Sequence, residues 1–165
     1  MKINSTQLIY LASGGYADVY ELAGTNYVMK KYKKKKKGKD GDILRNLQGI
    51  SYFPQLIEDG KDYVIMEKAT GQPLSKAIRK GLDVNECMLF QFKEAYTLAL
   101  KCGIRPQDVT LDNVFINNHG EIKLIDVGNY EYVKRPIHDV KKDVERFTIF
   151  LHYQIKKWES FRPNT

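Results

Sequence analysis

The first third of the chain alternates apolar and polar residues with a period of two. "TQLIYLA" and "ADVYELA" flank the turn "SGGY", and "NYVMKKY" follows the turn "GT", which predicts three strands. "DILRNLQGI" has helical spacing for about two turns and stops at Gly49. "QLIEDGKDYVIMEKA" reads as a β-hairpin turning at Asp59–Gly60. From Asp83 the period changes. Val84, Met88, Leu89, Phe92, Ala95, Tyr96, Ala99 and Leu100 recur at intervals of three and four, predicting a core helix capped by Asp83 and stopped at Gly103. "NVFIN" and "EIKLID" flank "NHG" as a short hairpin, and a last helix from about Asp139 aligns Val140, Val144, Phe147, Leu151, Ile155 and Trp158 on one stripe. Strands first and helices later predict an α+β fold in two lobes, with "KATGQPLSKAI" as the connector.

Composition narrows the class. A chain of 165 residues with 42% hydrophobic content can build one folded domain. No apolar run approaches the ~20 residues of a membrane span. "MKINSTQLIYLASGG" has neither the apolar stretch nor the cleavage site of a signal peptide. Cys87 and Cys102 form no disulfide framework or zinc pattern. A soluble, cytoplasmic protein with no membrane contact is the expectation. The net charge of +7 is concentrated in "KKYKKKKKGK", which holds eight lysines in ten positions. Within it, Lys33–Lys37 read either as a solvated loop or as a contact for an acidic partner or RNA. With only Tyr32 interleaved, base stacking has little support.

Candidate chemistry sits at the turns. The loop "LASGGYADVYE" contains Gly14 and Gly15, whose missing Cβ lets backbone amides approach a phosphate, although a tight hairpin turn needs the same residues. Lys30 shares a strand face with Val28, though it also adjoins lysines that are simply solvated. Asp108 and Asn113 are five residues apart in the loop leaving the long helix, and Asp126 lies thirteen beyond Asn113. Each alone suits a turn. On a strand–turn–strand scaffold, Asn113 and Asp126 should converge as hard oxygen ligands for Mg²⁺, while Asp108 could accept a hydroxyl proton.

Taken together, these segments resemble the signatures of the protein-kinase superfamily. "RPQDVTLDNVFI" looks like the catalytic loop, "IDVG" like the metal-binding segment, "YVMK" like the lysine strand and "YVIMEKATGQPL" like the strand and hinge that hold adenine. The resemblance is closest to minimal RIO- and Bud-like kinases and to small bacterial serine/threonine kinases. It implies a kinase-like fold over residues 1–165, with a β-rich lobe to about 69, a hinge at 67–73 and a reduced helical lobe from 74. It also implies an enzyme that uses ATP and Mg²⁺ to phosphorylate a Ser/Thr hydroxyl of a protein substrate, with a possible regulatory protein partner.

Residue by residue, the resemblance makes Asp108 the catalytic base, Asn113 and Asp126 the metal ligands, and Lys30 the phosphate contact. Ala12, Ser13, Gly14 and Gly15 would cover the phosphates. Val19 and Val28 would cover the adenine, Phe115 would lie beneath it, Met66 behind it, and backbone groups of Glu67 and Ala69 at its edge. Lys30 would pair with Asp40 or Asp42. Asp143 matches the acid that braces the catalytic loop, or is a solvated helix acid. The chain departs from the pattern at Ala12 and Ala17, which replace glycines, and at Pro106–Gln107, which replace His-Arg. No Ala-Pro-Glu element follows "NYEYVKRP". Control by a partner or by expression, rather than by loop phosphorylation, is the consequence expected. Other readings are a non-catalytic nucleotide-binding or RNA-binding module and a small-molecule kinase.

Overall fold

A computed structural model describes residues 8–33, 38–133 and 140–162 of the chain. Residues 34–37 of the lysine run and Asp139 lie outside them. The arrangement is α+β. Strands β1 (Leu8–Ser13), β2 (Ala17–Leu22), β3 (Tyr27–Tyr32), β4 (Leu56–Asp59) and β5 (Tyr63–Glu67) form an antiparallel sheet in the order β1-β2-β3-β5-β4, with helix α1 (Asp40–Asn46) inserted after β3. There follow β6 (Gln72–Pro73), α2 (Leu74–Arg79), α3 (Glu86–Lys101), β7 (Ile104–Arg105), β8 (Val114–Ile116), β9 (Ile122–Leu124), β10 (Glu131–Tyr132) and α4 (Val140–Glu159).

Register gives the large sheet two different faces. Residues directly opposite each other share a face. The pairs Ala12↔Val19, Val19↔Lys30, Lys30↔Val64 and Val28↔Met66 therefore set Ala12, Val19, Val28, Lys30, Val64 and Met66 on one side. That side joins the main core, where α1 contributes Ile43 and Leu44, both fully buried, followed by Leu47. Each such side chain stabilises the fold by about 1.5–3 kcal/mol. The other side carries a small cluster of Leu22, Met29 and Ile65 with Tyr20, Tyr27 and Tyr63 around it.

The helical half packs on the same core. α4 buries Phe147, Leu151 and Ile155, with Val140, Val144 and Trp158 half-covered, along the stripe expected from the sequence. Phe147 stacks on Tyr96 of α3 at 4.3 Å, and the Arg79 guanidinium lies 5.0 Å over the Trp158 ring. Just past α4, Arg162 donates to the carbonyls of Ile78 and Leu82 and pairs with Asp83 at 3.0 Å.

Two expectations change. The N-cap of α3 is Asn85, whose side chain accepts from the Met88 amide at 3.0 Å, not Asp83. Asp83 is instead engaged by Arg162, while Val84 and Leu89 occupy the staple positions on either side of the Asn85 cap. The presumed connector also contains structure: β6 pairs with β8, and Pro73 leads directly into α2. Gly71 is obligatory there, with φ +93° and a would-be Cβ only 2.0 Å from the Ile116 carbonyl oxygen. Among the described residues no helix is long and apolar enough to cross a membrane.

Candidate active site

The β8–β9 pair sets the geometry. Val114 faces Leu124, and the Ile125 amide donates to the Asn113 carbonyl at 2.8 Å, so Asn113 and Asp126 emerge from adjacent backbone. Asp108 and Asp126 have φ of 54° and 57°, and they are the two positive-φ non-glycine residues among those described. Left-handed backbone is disfavoured for side chains other than Asn and Asp, and such positions cluster at functional sites. The Asn113 Nδ2 donates to the Asp108 carbonyl at 3.4 Å, which leaves Oδ1 as its acceptor oxygen. The Asp108 carboxylate in turn accepts from Asn129 Nδ2 at 3.1 Å.

Lys30 closes this set from the sheet. Its ammonium lies 2.7 Å from Asp40 Oδ1 and 2.6 Å from Asp126 Oδ1. Burial alone would lower the Lys30 pKa, but Asp40 and then Asp126 outweigh it and hold the ammonium above its ordinary value. Asp42, the other candidate acid, pairs with Arg45 on the exposed side of α1. Asp40 itself is 2% exposed and also accepts from the Tyr32 hydroxyl at 2.8 Å.

An aspartate reaches less far than a glutamate, and the structure closes the gap with glycines. A Cβ on Gly128 would stand 2.9 Å from Asp40 Oδ2, and one on Gly38 would stand 2.4 Å from the Tyr32 ring. One on Gly41 would stand 2.3 Å from the Asp59 carboxyl. Helix α1 thus lies close against both β4 and the Asp126 segment, and Arg45 ties it to Asp59 at 2.9 Å.

The glycine loop is fastened from outside. Gly14 donates to the Ala17 carbonyl at 2.8 Å, and Ser13 Oγ donates to Asp18 Oδ1 at 2.6 Å. The Lys33 ammonium contacts Ser13 Oγ and the Gly14 carbonyl, both at 2.7 Å, and Asp18 at 3.3 Å. Lys33 is therefore exposed but engaged with the glycine loop. Ser13 pairs with Asp18 in register, one residue out of phase with Ala12 and Val19, so its side chain belongs to the face opposite Lys30. Gly15 has open space around it.

At the far end of the sheet face, Met66 is buried and Glu67 and Ala69 are half-buried. The Glu67 amide donates to the Gln55 carbonyl at 2.9 Å. Its carboxylate takes the Lys123 ammonium at 2.6 Å, and Lys123 pairs across the β8–β9 hairpin with Phe115. Phe115 also faces Pro73.

Several contacts had no counterpart in the sequence reading: Tyr32 on Asp40, Asn129 on Asp108 and Gln107 on Glu131 at 3.3 Å. Their one sequence signal is adjacency to a motif residue. Of the two readings of Asp143, its 2.8 Å pair with Arg105, three residues before Asp108, supports the brace. Among the described residues no group of three or more His, Cys, Asp or Glu could hold a metal. A cation bound by Asn113 and Asp126 would need water and phosphate oxygens to complete its shell, a habit typical of Mg²⁺.

No protein-family model matches the chain. Over 96 residues it is 29% identical to "Putative serine/threonine-protein kinase YrzF" of Bacillus subtilis (strain 168). The match takes in 58% of this chain and 45% of that protein, so less than half of the relative's length is represented.

Proposed function

We propose that the chain is a minimal protein kinase with a kinase-like two-lobed fold, transferring the γ-phosphoryl group of ATP to a Ser/Thr hydroxyl. The observation that carries this is the double ion pair of Lys30 with Asp40 and Asp126, on a scaffold that also holds Asp108 and Asn113. The name of the Bacillus relative points the same way.

The nucleotide would lie between the face bearing Ala12, Val19, Val28 and Met66 and the hairpin bearing Phe115, with Glu67 and Ala69 at its edge in a hinge spanning 67–73. Asn113 and Asp126 fit a bound Mg²⁺, which would neutralise phosphate charge. Lys30 would hold the phosphates, giving up part of its contact with Asp126 to do so. Asp108 would orient the acceptor hydroxyl and take its proton. The hydroxyl oxygen forms the new bond to the γ-phosphorus, the bond to the β–γ bridging oxygen breaks, and ADP leaves with that electron pair. Positioning and charge account for this chemistry, and these residues supply both.

Residues 127–133 of the segment after Asp126 are held by backbone pairing and burial. β10 pairs with β7, Val133 donates to the Gly103 carbonyl at 2.8 Å, and Tyr130 is 1% exposed against Phe53. Incubation with γ-labelled ATP, Mg²⁺ and a generic basic acceptor protein tests the reading. Label should appear with the wild type and vanish in Asp108→Ala and Asp126→Ala. No label, alongside a melting temperature raised by ATP, would mark a non-catalytic nucleotide-binding module instead.

A further inference from the structure

The structure assigns a further role within that proposed reaction, on which this inference rests: we infer that Asn129 is the positioning residue that holds the Asp108 carboxylate ready to accept the substrate proton. Asp108 is exposed, and the Thr110 amide and Asn113 Nδ2 hold its left-handed backbone through the carbonyl rather than the carboxylate. The Asn129 Nδ2 donates to Asp108 Oδ2 at 3.1 Å, leaving the second oxygen of the carboxylate for the acceptor hydroxyl. Asn129 is exposed, but the backbone around it is anchored. It closes the short turn Val127–Asn129, between Val127 at 2% and Tyr130 at 1% exposure, and the Tyr130 amide bonds the Val127 carbonyl at 3.0 Å.

The same turn begins at Asp126, whose carboxylate meets Lys30. Asn129 therefore joins the proposed base to the proposed metal segment through three residues of one turn. It touches Asp108 and acts only through it. The amide N–H donates and the carboxyl oxygen accepts, so the bond fixes the rotation of the Asp108 side chain.

The alternative is that Asn129 merely forms a turn, a task that Asn and Asp perform almost equally well. Asn129→Asp separates the two, since it keeps the shape but sets a second carboxylate beside Asp108. Loss of one hydrogen bond to a charged group predicts a kcat lowered about 10- to 100-fold in Asn129→Ala. Asn129→Asp should be at least as slow, while KM for ATP and the rise in melting temperature with MgATP stay at wild-type values. Wild-type kcat in Asn129→Asp would overturn the assignment, and so would equal changes in KM and melting temperature.

A readout independent of turnover is the Asn129 side-chain amide resonance of the nucleotide-free protein. It should move when Asp108 becomes alanine, and an unmoved signal would refute the contact. If the wild type transfers no phosphate while this resonance does move, the kinase reading falls, and the catalytic role of Asn129 falls with it.

Discussion

The Lys30 ammonium and the Asp126 carboxylate, 96 residues apart in the chain, meet at 2.6 Å. This contact joins the strand sheet to the β8–β9 hairpin, and its two ends differ in cost. The Asp126 side chain is 46% exposed, whereas Asp40, on the other side of Lys30, is 3% exposed. Asp126→Asn, which tolerates the same left-handed backbone, should therefore abolish phosphotransfer while changing stability by less than about 1 kcal/mol. Asp40→Ala should cost about 2–4 kcal/mol, because it strips a buried partner from both Lys30 and Tyr32. Urea denaturation of the two variants, beside their label-transfer rates, measures both halves.

Alkaline stability follows from three tyrosines. Burial, followed by Asp40, pushes the Tyr32 phenol far above its ordinary value. Burial, followed by Asp126 and Asp108, does the same to Tyr130. Partial burial, followed by the hydrogen bond to Glu94 at 2.5 Å, pushes the half-buried Tyr52 phenol up to about 12. The folded pKa values are raised, so this stability is fully present below the unfolded value near ~10 and is lost as pH rises above it. Lys30, also raised, acts with the same sign. Melting temperature should hold level up to about pH 10 and then fall. The fall should be shallower in Tyr130→Phe, by up to ~1.4 kcal/mol per pH unit. An equally steep fall in that variant would contradict the assignment.

How much of this could be read beforehand depended on the length of the pattern. The seven strands and hairpin arms around the site, and the stripe from Val140 to Trp158, repeat their period often enough to stand out. Helix α2 has six residues, too few for a helical period to show against the Gly71 and Pro73 turn signals. Asp83 and Asn85 are both good caps, and the choice between them rests on Arg162, some eighty residues away. Local sequence carries no such information. The same holds for the pairing of Lys30: Asp40 and Asp42 lie on one short helix, and only the close approach permitted by Gly38, Gly41 and Gly128 selects Asp40. Asn129 and Tyr32 have no pattern of their own, because a single side-chain donor leaves no periodic trace.

Gly128 tests that close approach. A methyl group there would stand 2.9 Å from Asp40 Oδ2 and must displace either the carboxylate or the turn. Overpacking of this kind typically costs about 1–3 kcal/mol. Gly128→Ala should lose that stability and also lower kcat, since it moves the acid that holds Lys30. Preserved activity and stability would show that the turn yields easily.

Lys33 separates loop order from fold stability. Its contacts to Ser13, Gly14 and Asp18 lie on the opposite face from Lys30, so Lys33→Met should leave the core untouched. Exposed ion pairs are worth up to about 1 kcal/mol, which corresponds to roughly a fivefold rise in KM for ATP with kcat little changed. Equilibrium nucleotide binding to the two proteins checks this. A fall in kcat at constant KM would place Lys33 in the chemistry instead.

The segment after Asp126 makes the most general prediction. Phosphorylation usually orders such a segment by supplying charge for an arginine to grip. Here Gln107 stands before Asp108 and donates to the Glu131 carboxylate at 3.3 Å, while β7 and β10 pair through Arg105↔Glu131 and Ile104↔Tyr132. Residues 127–133 are seated, and Tyr130 at 1% exposure cannot be modified without unseating them. Tyr132, half exposed, is the residue in β10 that another kinase could reach. Protein treated with phosphatase should therefore transfer label at the untreated rate, and Tyr132→Phe should match wild type. Glu131→Ala should slow transfer a few-fold, by loosening a segment held by weak polar contacts worth about 1 kcal/mol. A rate that depends on phosphate at Tyr132 would mean that the seated segment is not the working state, and that control lies in the loop after all.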